Sequence, residues 1–201
     1  MSAPVRLGAV ERAALLGIAR ASVRQRLGLG PMPALPADGP LAEPRGAFVT
    51  LSIRGQLRGC IGTFTPAGSL ANTVARMAAN AACEDPRFAP VRADEFDDLD
   101  VHVSALDPRR PMRDPAELKV GRDGVVIQLG WHRGTLLPRV AVDHGWDNLT
   151  FLERTCLKAG LPPLAWQEPE AVVELFSAEE MGEEEPGEGG RTDGEPHPPL
   201  K

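Results

Sequence analysis

The spacing of apolar positions changes several times along the chain, and each change marks an element. Between residues 8 and 28, Val10, Ala13, Ala14, Gly17, Ile18, Ala21 and Leu27 recur near helical spacing, with Arg12, Arg20 and Arg24 between them. That pattern predicts an amphipathic helix. Residues 31–45 hold five prolines and read as an extended, polyproline-like connector. From Phe48 to Ile53 the period drops to two, with Val49, Leu51 and Ile53 on one side, which predicts a strand. After Ser69, a plausible N-cap, Leu70, Val74, Met77, Ala78, Ala81 and Ala82 return to helical spacing, and Pro86 stops the run. Leu99, Val101, Val103 and Ala105 alternate as a strand, and residues 124–129 and 133–137 read as a hairpin. A helix beginning at Asp147 or Asn148 is closed by Gly160, with Pro162 beyond. "AVVELFSA", 171–178, is a last short strand, and the acidic stretch 182–201, nearly free of apolar residues, predicts disorder.

The stretch "LRGCIGTF", 57–64, returns from the first strand across Arg54, Gly55 and Gln56. A three-residue turn sets Ile53 opposite Leu57 and Val49 opposite Ile61, so the apolar residues of both strands share one face. Thr50, Ser52, Arg58 and Cys60 then occupy the other face, whereas a two-residue turn breaks that parity. Two residues apart on a strand, Arg58 and Cys60 project together at roughly 7 Å. A guanidinium beside a thiol favours its ionised form, which is a nucleophile or a metal ligand. Gly59 and Gly62 strip side chains from around the cysteine, so a ligand or a neighbouring backbone can approach. Thr63 adds a hydroxyl nearby in sequence. The competing reading makes Cys60 a small buried hydrophobe beside a glycine-marked bulge. "CEDPRF", 83–88, puts Glu84, Asp85 and Arg87 at a helix end, where acids serve as general bases or solvate a turn. Cys83 and Cys156 sit among apolar helix positions and read as core filling.

Charge and composition narrow the classes. The 201 residues are 42% hydrophobic and carry a net charge of −6, which argues against a nucleic-acid footprint. Three widely spaced cysteines without a C-x-x-C suit a reducing compartment. No apolar run near the N-terminus is long enough for a signal peptide or a membrane span, so a cytoplasmic protein without membrane contact is expected. The histidines lack zinc spacing, and no P-loop or dinucleotide fingerprint occurs, so no metal is expected and no cofactor is named.

Taken in order, "LRGCIGTF", "EDPRF", "LLPRVAVDHGWD" and "FLERTCLKAGLPP" resemble the AMMECR family, whose bacterial members are called AmmeMemoRadiSam system protein A. The resemblance spans about residues 8–178. It implies an α+β fold, mainly an antiparallel sheet flanked by helices, in two unequal lobes. The larger lobe would contain both chain ends, and a cleft would lie near "LRGCIG". It also implies association with a Memo-like protein and a radical S-adenosylmethionine enzyme. Suspicion of a site falls on residues 57–62, with residues 84–88 second. Arg139 and His144 depart from the family pattern, which has glutamine at both positions. Two functions follow. In the first, an enzyme or enzyme component uses Cys60 on a small molecule. Arg58 stabilises the sulfur, Glu84 or Asp85 moves protons, and Gly59, Gly62, Thr63 and Arg87 line the substrate. In the second, a non-catalytic adaptor uses "LRGCIG" as a structural or partner-binding strand.

Overall fold

The computed structural model describes residues 6–32, 34–66 and 68–183. Helix α1 spans Ala9–Arg26 and buries Leu15, Ile18, Ala19 and Val23. The proline-rich connector is not uniformly extended. Pro40–Ala42 form a 3-10 turn, because Leu41 is apolar and packs into the core at 5% exposure.

Strands β1 (Ala47–Ile53) and β2 (Gln56–Thr63) form the expected hairpin, but its turn has two residues, since Ile53 pairs with Gln56. Arg54 and Gly55 both adopt positive φ, 52° and 76°. This is the mirror-image turn whose twist matches that of the flanking strands. Parity is restored by a bulge rather than by the turn. Leu51 pairs with Gly59 while Ser52 pairs with Leu57, which leaves Arg58 as the extra residue. Val49 therefore faces Ile61 as expected, but Leu57 faces Ser52 and belongs to none of the buried clusters among the described residues.

Helix α2 (Leu70–Cys83) starts where Ser69 accepts a hydrogen bond from the Asn72 amide. Strands β3 (Leu99–Leu106), β4 (Arg110–Pro111), β5 (Asp123–Leu129), β6 (His132–Leu136) and β7 (Val172–Gly182) complete one antiparallel sheet of order β2-β1-β3-β7-β5-β6, with β4 on β7. The short helix α3 (Pro138–Asp143) falls outside the expected elements, and α4 (Asn148–Lys158) is capped by the Asp147 side chain.

Strand β7 is longer than expected and joins two halves. Residues 172–177 pair with β5, and Ala178–Gly182 pair with β3. Helices α1 and α2 cover β2-β1-β3 over a core of Val49, Leu51, Leu70, Val74, Val101 and Val103, to which Leu7 and Met181 also belong. Helix α4 covers β5 and β6 over a smaller core of Ile127, Phe151, Leu152, Cys156 and Leu175. The fold is thus α+β, an antiparallel sheet flanked by helices in two unequal lobes. Between the lobes lie Leu106, Val126 and Phe176 with Phe48, Phe64 and Leu137.

Gly182 closes β7 and the Glu183 carboxylate pairs with Arg20, so the fold extends into the stretch expected to be disordered. Residues 184–201 of that expectation lie outside the described residues. No helix among the described residues is long and apolar enough to cross a membrane.

Candidate functional site

On the sheet face away from α1 and α2, the register sets Cys60 beside Thr50 and Thr50 beside His102. The Thr50 hydroxyl donates to Cys60 Sγ at 3.2 Å. Strand β2 lies at the sheet edge, and the Cys60 amide turns outward to donate to Asp85 Oδ2 at 2.8 Å. Asp85, only 4% exposed, also accepts from the Arg87 amide (3.1 Å), Nε (3.0 Å) and Nη2 (2.7 Å). The Arg87 guanidinium holds the Asp85 carboxyl down at about 2. Burial opposes this, and the Cys60 and Arg87 amides add to it. Arg87 Nη2 in turn reaches the Cys60 carbonyl at 3.4 Å. The loop after α2 therefore covers the open edge of β2 and delivers a cation beside Cys60.

Several expected placements change. Arg58 does not project with Cys60, because it is the bulge residue. Its Nε and Nη2 donate to Glu95 at 2.9 and 3.0 Å, and its other contacts are the Ala89 and Pro90 carbonyls. That bond to Glu95 holds the guanidinium above its ordinary value. It also takes the Glu95 carboxyl down to about 2, with help from the Arg92 amide. The cation at Cys60 is Arg87. Glu84 pairs with Arg26 of α1 at 3.1 Å rather than turning toward the thiol. Asp85 is saturated with donors and ionised throughout the neutral range, which makes it an anchor and not a proton carrier. The Thr63 hydroxyl closes a local turn with Thr65. The room left by the glycines is filled by protein. A Cβ on Gly59 would lie 2.1 Å from the Ala81 carbonyl oxygen, and one on Gly62 would lie 2.1 Å from the Phe48 ring.

Cys60 opens onto a cleft of about 510 Å³ between the lobes. Phe48, Cys60 and Arg87 line it from the larger lobe, and Arg133, Leu136, Leu137, Val140 and Lys158 from the smaller. Such a volume suits a small molecule. A second concavity of about 550 Å³ includes Arg122, Arg139 and Asp143. It carries no thiol, and Arg122 and Arg139 are already paired with Asp123 and Asp143. No group of three or more His, Cys, Asp or Glu placed to hold a metal occurs among the described residues. Cys83 is half-buried against the larger core. Cys156 is fully buried in the smaller one, which pushes its thiol up.

A family model described as AMMECR1 matches residues 16–181. The chain belongs to the AMMECR1 family. A protein from Methanothermobacter thermautotrophicus is 44% identical over 173 residues, covering 82% of this chain and 90% of its own length. Protein PH0010 of Pyrococcus horikoshii is 41% identical over 184 residues, 86% of this chain and 89% of its own. The crystal structure of PH0010, an uncharacterized protein, matches with a TM-score of 0.78 at 40% sequence identity, over 86% of this chain and 91% of that one. Both relatives are archaeal. In this AMMECR1 chain, sequence reasoning missed Phe48, Arg133 and Lys158 as cleft residues. The one signal was the G-T-L run of β6. Gly134 has no room for a Cβ, which would lie 2.7 Å from the Thr155 carbonyl oxygen, and that close approach brings the end of α4 to the cleft.

Proposed function

We propose that this chain is an enzyme, or a component of one, that acts on a small molecule through the Cys60 thiol. The observation carrying this reading is the placement of Cys60 in the wall of the inter-lobe cleft, where its thiol accepts from the Thr50 hydroxyl and its carbonyl from the Arg87 guanidinium. A hydrogen-bond donor and a positive charge suit a sulfur that bears negative charge as it attacks. Asp85 is a positioning residue that holds Arg87 and the cysteine backbone together. By family resemblance, the finer reading is an AmmeMemoRadiSam system protein A acting with a Memo-like protein and a radical S-adenosylmethionine enzyme. Co-purification of the three proteins tests that part.

The thiol reading is tested by alkylating the native protein with iodoacetamide and following each cysteine by mass spectrometry. Cys60 should react faster than Cys83 and faster than Cys60 in the urea-unfolded chain. A Cys60 that reacts no faster than Cys83 sinks the proposal.

The adaptor reading has its own support, since the motif's glycines serve the packing of α2 and Phe48. Cys60→Ser separates the two: a scaffold keeps its partners and its cellular role, whereas a thiol enzyme loses that role with its fold intact.

A further inference from the structure

The cleft has a chemical bias that the thiol does not explain. Arg87, Arg133 and Lys158 line it, and no carboxylate among the described residues does. Asp85 neutralises Arg87 from below, but neither Arg133 nor Lys158 makes a salt bridge among the described residues. The chain as a whole carries −6, so a patch of two free cations over a concave wall runs against the background. A concave, partly apolar site focuses such a field on its contents. Each cation also has a local reason for its place. Lys158 ends α4, where a positive charge suits the helix dipole, and the Arg133 guanidinium lies 6.0 Å from the Phe64 ring. Neither reason brings both to the same cleft. That is done by Gly134, which admits the Thr155 carbonyl and draws the end of α4 onto β6. Beneath them the wall is apolar: Phe48, Leu136, Leu137 and Val140.

We propose that the cleft binds an organic anion, with Arg133 and Lys158 holding its charged group and its apolar body lying on Phe48, Leu136 and Leu137 next to Cys60. This names the ligand class for the thiol site proposed above and rests on the same cleft, but its test does not need a reactive cysteine.

The probe is 1-anilinonaphthalene-8-sulfonate, compared with neutral N-phenyl-1-naphthylamine, which has the same aromatic body without the sulfonate. Fluorescence titration of the full chain should show tighter binding of the anionic probe. Arg133→Gln and Lys158→Gln should each weaken the anionic probe about threefold, the size of one cation acting across roughly 7 Å of water-like medium. Both variants should leave the neutral probe unchanged, as should Arg76→Gln, a substitution of an exposed α2 cation, for either probe. Raising salt to about 1 M should remove the anion preference. The probes report binding and iodoacetamide reports the thiol, so a failed alkylation experiment and a failed anion site are read separately. Equal binding of the two probes, no binding of the anionic one, or an anionic affinity indifferent to Arg133→Gln and Lys158→Gln overturns the proposal.

Discussion

Asp85 is the residue at which the edge strand, the loop after α2 and the cleft meet. Its carboxylate takes N–H groups from Cys60 and from both the backbone and the side chain of Arg87. Asp85→Asn keeps the shape but gives up the charge, and should cost about 2 kcal/mol in urea unfolding. It should also loosen Arg87 and slow iodoacetamide at Cys60. The pH dependence follows from the direction of the shift. The folded carboxyl is held at about 2, below its ordinary 3.8, so its contribution is full above about pH 4 and lost as the pH falls toward 2. The Glu95 carboxyl, also held at about 2, adds to the same acid limb. Acid unfolding of the native chain should steepen in that window, and Asp85→Asn should flatten it. Gly59 makes a second prediction at this scale. A methyl group there meets the Ala81 carbonyl, a backbone atom that moves only if α2 moves. Gly59→Ala should therefore destabilise by about 2–3 kcal/mol in the same assay.

At the scale of elements, the β1–β2 hairpin shows what alternation conveys and what it hides. Alternation located both strands and put Val49 opposite Ile61. It could not reveal that a two-residue turn and a bulge together leave the same parity as a three-residue turn, because both solutions add one residue. The difference matters chemically, since it withdraws Arg58 from the cysteine. The turn can be probed directly. Arg54 holds a positive φ of 52°, which a side chain of its kind tolerates poorly. Arg54→Asn, giving Asn-Gly at the turn, should raise the urea midpoint by an amount equivalent to about 0.5–1 kcal/mol. Strand β7 runs past the stretch its apolar pattern marks for a related reason. Glu179 occupies an inward position at 3% exposure, and a charged residue there interrupts the apolar pattern that marks a strand.

Glu179 also matters at the scale of the whole molecule. It pairs with buried Arg45 at 3.1 Å and with Arg12, and it accepts the Leu7 amide, while Arg45 also holds Asp107 at 2.8 Å. The network ties α1, the start of β1, the end of β3 and the middle of β7, where that strand passes from one lobe to the other. Removing one buried partner strands the other, so Glu179→Leu should cost about 3 kcal/mol or more. Calorimetry of Glu179→Leu should show the two lobes losing their shared transition.

The amino-acid sequence by itself determined the order and type of most elements, the cap at Ser69 and the start of α4 at Asp147 or Asn148, and it marked Cys60 as a candidate for chemistry. These depend on local periodicity and on side chains bonding to backbone within a few residues, both of which a linear reading contains. Only the tertiary structure decided which cation reaches Cys60, through its carbonyl, and what lines the cleft around it. Arg58 and Arg87 are equally available in sequence, and the choice between them turns on a bulge and on the loop that Asp85 pins to the sheet edge. Arg133 and Lys158 reach the cleft because β7 splices two lobes and Gly134 lets α4 close on β6, and neither event leaves a mark near Cys60 in the chain.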